Sequence, residues 1–284
     1  MAESDAHGAT VADAARAGEP DRYLAALLSP PGQRETLLAL AAFSSELARI
    51  PLRVVHEPAM GEIRLQWWRD ALSMPAAIRT GHPVADAVRQ AAHRHELPVG
   101  LLEMLIDGRA LFLSGGVSLD GGHLNDLLWK TEGTLFALGA RVAGLPAGAD
   151  VEAGCAASGH AYGMVRLLLG LPRALAQGCV PLAKSQLETA GLNAEDLLSG
   201  TADAGIDRLL GDCSAQIRRS LAAARQFTTR LARADRVPFL PLALVEPYLR
   251  AIERSGHAWL REEARIAPLT RVCRIAAAHV FGRP

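Results

Sequence analysis

Lysine is nearly absent. Lys130 and Lys184 are the only two, so 28 of the 30 basic residues are arginine. Balanced against 30 Asp and Glu, they give a formal net charge of zero over 284 residues. A dedicated nucleic-acid binder carries a clear basic excess, so that class is excluded. Cysteine is scarce as well. Cys155, Cys179, Cys213 and Cys273 are separated by 24, 34 and 60 positions. These spacings fit neither a CxxC zinc or redox pair nor a disulfide scaffold, and four reduced, mostly buried thiols are expected. Long apolar runs are missing too: the longest stretch without Asp, Glu, Lys or Arg is 13 residues, Ala153 to Val165, too short to cross a bilayer. The first twenty residues set Glu3, Asp5, Asp13 and Glu19 against Arg16 alone. A secretory signal needs a basic start and an apolar stretch, and a mitochondrial presequence avoids acids, so a cytoplasmic location is expected.

Strand signals are also missing. Val, Ile and Thr never cluster, and no alternating apolar run appears. What is present is a helical period over most of a chain that is 50% hydrophobic and 21% charged, enough for a sizeable core. Leu40, Phe43, Leu47 and Ile50 share one helix face. Helices are expected at about 60–73, 84–96, 99–112, 121–143, 151–170, 203–235, 241–256 and 269–281, with Pro172 and Pro181 bracketing a break. In the long helix at 203–235, Ile206, Leu210, Cys213, Ile217, Leu221, Ala224 and Leu231 point inward, while Arg208, Arg218, Arg219, Arg225, Arg230 and Arg233 meet water. Residues 1–20 are Ala-rich and aperiodic and read as a flexible tail; residues 21–284 read as one all-α domain. Such bundles carry their chemistry on side chains that face one another across a cavity.

The usual catalytic signatures do not occur. There is no Walker loop, no dinucleotide fingerprint, no GxSxG elbow and no HExxH helix. Gly115-Gly116 and Gly121-Gly122 read as punctuation between helices. His93 and His95 are two apart on a helix and diverge, so they cannot share a metal on it. GEIRLQWWRDAL, from Gly61 to Leu72, reads on its own as a core helix anchored by Trp67 and Trp68.

Four stretches occur in a telling order: FSSELARI, EPAMGEIRLQWWRDAL, KTEGTLFALGARVAG and FLPLALVEPYLRAIERSG. Together they resemble the squalene/phytoene synthase family over about residues 21–280. That resemblance implies an isoprenoid-synthase-like helical bundle around a central apolar cavity, and head-to-head prenyl transfer as the family activity. It also implies two Asp-rich helices that face each other and hold Mg²⁺ against a substrate diphosphate.

Both motifs are missing here. Aligning the first motif on Phe43 puts Ser45 where the family has Arg and Ala48, Arg49 and Leu52 where it has Asp; no acid lies between Glu46 and Glu57. The second should fall within Gly159 to Pro181, yet no Asp or Glu occurs between Glu152 and Glu188. Arg49 and Arg173 instead bring positive charge, which repels a metal but suits a phosphate. The chain is more similar to a degenerate branch of the family that includes a mitochondrial respiratory complex I (NADH dehydrogenase) assembly factor and bacterial relatives. That branch keeps Phe-x-x-Glu-Leu, matched by Phe43, Glu46 and Leu47, and Gly-x-Ala-x-Gly-x-Val, matched by Gly159, Ala161, Gly163 and Val165.

The resemblance therefore implies a non-catalytic assembly or interaction factor, with complex I subunits or assembly intermediates as partners and no cofactor. Peripheral contact with the inner face of the membrane is part of that expectation. A prenyltransferase using Mg²⁺ and a non-catalytic isoprenoid or lipid carrier are the alternatives. No catalytic residue is assigned. The candidate cavity residues are Phe43, Glu46, Arg49, Arg64, Trp68, Tyr162, Arg166 and Arg173.

Overall fold

The computed structural model describes residues 8–51, 57–75, 78–113, 120–200 and 205–284, with backbone alone at 2–7 and 52–53. Gly115-Gly116 and Leu52's side chain lie outside the described residues. The order is α1 (Ala2–Gly18), α2 (Pro20–Leu27), α3 (Pro31–Arg53), α4 (Pro58–Ser73), α5 (Pro83–Arg94), α6 (Val99–Ala110) and α7 (Gly121–Leu128). A π-helical turn (Trp129–Gly133) leads into α8 (Thr134–Val142), α9 (Ala149–Ala176), α10 (Lys184–Ala190), α11 (Ala194–Ser199) and α12 (Ile206–Thr229). A 3-10 stretch (Arg233–Leu244), α13 (Val245–Arg254) and α14 (Pro268–Phe281) complete the fold. No strand occurs among the described residues, and the all-α expectation holds. No described helix is long and apolar enough to cross a membrane.

Sequence period explains the longest elements. In α12, Ile206, Leu210, Cys213, Ile217, Leu221 and Ala224 recur at steps of three and four and are buried, while the arginines between them are exposed. Asp207 in its first turn suits the helix dipole. The apolar residues form two groups. One is built on α9, α12 and the Arg233–Leu244 stretch, with Phe136 stacked on Phe239 at 5.6 Å. The other is built on α3 to α6. Gly191 and Gly200 end α10 and α11 in the left-handed conformation that favours glycine.

Three sequence expectations are corrected. Residues 2–18, expected within a flexible tail, form α1, which buries Val11 and Ala15. Gly18 lies so close to α3 that a Cβ there would sit 1.9 Å from the Ser45 hydroxyl. A surface of small residues, rather than a strong apolar stripe, makes this docking possible. Next, α9 does not break at Pro172 but runs on to Ala176. A proline near a helix end deletes one backbone hydrogen bond, and here the surrounding packing tolerates the loss. Finally, only one tryptophan anchors α4. Leu65, Trp68 and Ala71 face inward, whereas Trp67 is 40% and Ile63 62% exposed. The thiols also differ in setting: Cys155 and Cys213 are buried and pushed up to about 12 by that burial, while Cys273 is exposed.

Candidate functional site

The site begins at the π-helical turn. A π turn adds one residue and re-aims side chains, which is why such turns gather at functional positions. Here it presents Glu132, 5% exposed, towards α9. The helix α9 can approach because Gly159 and Gly163 lack side chains. A Cβ on Gly159 would stand 2.4 Å from the Gly133 backbone, and one on Gly163 would stand 3.2 Å from the Glu132 side chain. The Gly-x-Ala-x-Gly pattern is thus a packing device that brings Arg166 to Glu132.

Around that contact lies an ion-pair network joining α2, α3, the π turn, α9, α13 and α14. Arg22 Nη2 donates to Glu132 Oε2 at 2.6 Å, and Arg166 Nη1 reaches Glu19 at 2.7 Å and Glu132 at 3.1 Å. Ser44 Oγ donates to Glu19 at 3.0 Å. The Arg22 guanidinium also lies 4.6 Å from the Phe136 ring centre, a favourable cation–π distance. A second node is Asp21, 4% exposed. It accepts the Tyr162 hydroxyl at 2.8 Å and the Tyr248 hydroxyl at 2.9 Å, and pairs with Arg271 at 2.8 Å.

The electrostatics follow from burial and neighbours. Burial pushes the Glu132 carboxyl up, but the charges of Arg166, Arg22 and Arg109 outweigh it and hold the group down at about 2. Burial, joined by the Asp21 charge, raises both Tyr162 and Tyr248, so both stay protonated donors. An unfolded Glu titrates near 4.5. The stability contributed by Glu132 is therefore complete above about that pH and is lost as pH falls towards the folded value. The urea midpoint is expected to drop between about pH 5 and about pH 3. A Glu132→Gln variant should show a shallower drop; identical slopes would remove Glu132 from the account.

Beside this network opens a pocket of about 350 Å³ between α3, the end of α6 and α9. Ala48 and Pro51 line one wall, Arg109, Phe112 and Leu113 another, and Arg166, Leu167, Gly170, Arg173 and Ala174 a third. No carboxylate is among its lining residues.

The eight candidate residues scatter. Arg166 and Arg173 line the pocket, and Arg173 also pairs with Glu263 at 3.1 Å. Tyr162 serves the buried network. Phe43 and Trp68 pack together in the second apolar group, ring centres 5.0 Å apart. Glu46 and Arg49 pair with each other at 3.0 Å near the surface. Arg64 is exposed on α4. Helical wheel reasoning placed these on helices but could not say which face met which neighbour. Sequence reading passed over Glu19, Asp21, Arg22, Arg109, Glu132, Tyr248 and Arg271. Two of them had a signal: Glu132 lies in KTEGTLFALGARVAG and Tyr248 in the YLRAIER stretch, both already quoted for the family resemblance.

An all-α bundle with this helix order, in which the two helices expected to carry carboxylates flank one pocket, defines an isoprenoid-synthase-type fold. Comparison with known proteins agrees: the squalene/phytoene synthase family model matches residues 15–271, and the chain belongs to that family. Among solved structures it is similar to squalene synthase HpnC from Alicyclobacillus acidocaldarius, with a TM-score of 0.77 and 16% identity over 90% of this chain and 97% of that one. It is also similar to a dehydrosqualene synthase in complex with ligand, with a TM-score of 0.81 and 14% identity over 98% and 97% of the two chains. Among curated proteins it is 30% identical to "NADH dehydrogenase (ubiquinone) complex I, assembly factor 6" of Rattus norvegicus over 88% of this chain and 76% of that protein. The Homo sapiens protein of the same name is 28% identical over 87% and 75%.

Proposed function

We propose that this chain is a non-catalytic assembly factor for respiratory complex I, built on a prenyl-synthase scaffold that has lost its metal chemistry. One observation carries the reading: the pocket between the two helices that should bear the Asp-rich motifs is lined by Arg109, Arg166 and Arg173 and by no carboxylate. Magnesium needs several hard oxygen ligands. Ala48 stands at a family Asp position, and no group of three or more His, Cys, Asp or Glu side chains that could hold a metal occurs among the described residues. Three guanidinium groups would repel a divalent cation as well. The donor set does not fit a magnesium–diphosphate site. Relatives named as assembly factors at 26–30% identity support the positive half of the reading. Partners would then be complex I subunits or assembly intermediates, met in the cytoplasm or at the inner face of the membrane.

The test has two arms. Deleting the gene in its own host is expected to lower assembled complex I on native gels and to leave subassemblies, with rescue by the intact chain. Purified protein given farnesyl or geranylgeranyl diphosphate with Mg²⁺ or Mn²⁺ should release no pyrophosphate. Metal-dependent release, or normal complex I in the deletion strain, would overturn the proposal.

A further inference from the structure

Helix α14 is apolar on two sides. Its inner side carries Ile275 and Ala278, both buried, and Arg271, which pairs with Asp21 at 2.8 Å and donates to the Tyr248 hydroxyl at 3.2 Å. Arg233 and Arg236 donate to the carbonyls of His279 and Gly282 at the far end, so the helix is held along its length. On the outer side Leu269, Val272, Ala276 and Val280 follow one another at steps of three and four, with Cys273 and Phe281 beside them. All six are exposed, Leu269 by 71% and Phe281 by 74%. A helix that is apolar all round is ordinarily covered all round. Here one side is open.

Charge says what covers it. No Asp or Glu follows Glu263, whereas Arg265, Arg271, Arg274 and Arg283 do. Arg271 is engaged by Asp21. Arg274 and Arg283 are exposed and their side chains make no ion pair or hydrogen bond among the described residues, while Arg265 reaches Glu263 only at 3.8 Å. A second copy laid on this face would set arginine against arginine, and like charges brought together in an interface are costly. An anionic surface meets all three free arginines favourably. Leu269 and Phe281 lie about 18 Å apart along the axis and stand clear of the body, which suits a soft surface better than a preformed groove. Apolar residues outward, arginines at the margins and no acid are the signature of a helix that lies in a membrane interface.

We propose that α14 docks the chain on an anionic lipid surface, lying flat with Leu269, Val280 and Phe281 among the acyl chains and Arg265, Arg274 and Arg283 at the phosphates. This surface is separate from the pocket between α3, α6 and α9, none of whose lining residues belongs to α14. The Arg271–Asp21 pair ties the docking helix to the buried network.

The test is flotation of the purified chain with vesicles of equal parts phosphatidylglycerol and phosphatidylcholine, against vesicles of phosphatidylcholine alone. Binding to the anionic vesicles is expected to be about a hundredfold tighter, since each arginine near such a surface is worth about a factor of five. It should fall as salt is raised. Leu269→Glu and Phe281→Glu should each weaken it about tenfold or more, and Arg274→Gln about fivefold. All three side chains are exposed, so Tm without lipid should not move. Ile63→Glu makes the same charge change on the exposed face of α4 and should leave vesicle binding intact. Failure to float with anionic vesicles, or wild-type binding by both Glu variants on α14, would overturn the proposal. Self-association in sedimentation velocity that Leu269→Glu abolishes would assign the face to a second copy and overturn it too. Loss of rescue by Leu269→Glu in the deletion strain, without vesicle binding by the intact chain, would assign the face to a protein partner instead. Lipid binding is read on the purified chain and complex I in cells, so either can fail without the other.

Discussion

Replacing Glu132 by Gln is expected to cost about 3–5 kcal/mol, enough to unfold much of a marginally stable chain near physiological temperature. The reason is the geometry of charge. Glu132 accepts from Arg22 at 2.6 Å and lies 3.1 Å from Arg166, with Arg109 also in its field. Remove its charge, and three guanidiniums face one another with only Glu19 near enough to answer. Breaking a buried pair from one side costs far more than the pair contributes as a whole, because the remaining charge stays desolvated. The comparison is Glu253→Gln. Its partner Arg218 is 44% exposed at 3.0 Å and is also held by Glu246 at 3.2 Å. That change is expected to cost under about 1 kcal/mol. Urea unfolding of both variants measures the contrast; equal midpoints would show that the network does not stabilise the fold.

The second large effect concerns a single methyl group. Gly159→Ala places a Cβ 2.4 Å from the Gly133 backbone, and neither helix can yield without moving Glu132 off Arg166. Overpacking ordinarily costs about 1–3 kcal/mol. Here the obstacle is backbone rather than a flexible side chain, so the cost belongs at or above the upper end of that range. Gly170→Ala, eleven positions along the same helix, meets nothing within 4 Å. It should instead stabilise by up to about 1 kcal/mol through helix propensity alone. Opposite signs of the two changes in Tm are the expected result. A mild loss at Gly159 would mean that α9 and the π turn are not locked together.

These two positions also divide what the amino-acid order tells from what it withholds. Helix content and family were legible in the sequence, because each rests on local patterns, whereas short helices such as α10 and α11 and the docked α1 were not. Buried steps of three and four in α12 and the quoted stretch KTEGTLFALGARVAG are readable without knowing where anything folds. Gly159 and Gly163 were legible as a pattern, but not as a contact surface. The loss of both Asp-rich motifs was legible outright, since no fold can supply carboxylates that a segment does not contain.

The network was not legible, and its sequence distances say why. Arg22 meets Glu132 across 110 positions, Tyr162 meets Asp21 across 141, and Tyr248 meets Asp21 across 227. Nothing periodic connects such pairs. Glu19, Asp21 and Arg22 sit around the start of an eight-residue helix beside a segment with no clear apolar stripe, so their own surroundings read as solvent. Phe43 and Trp68, by contrast, were candidate cavity residues, yet they pack on each other.

By itself, then, the sequence determined an all-α member of the squalene/phytoene synthase family with no acid between Glu46 and Glu57 or between Glu152 and Glu188, because helical period and residue type are local properties. Tertiary structure alone decided where the arginines went. It turned Arg22, Arg166 and Arg271 onto buried carboxylates and left Arg109 beside a pocket with no ion-pair or hydrogen-bond partner among the described residues. Charge pairing in a folded interior depends on which faces meet, and that is set by the packing of helices far apart in the chain.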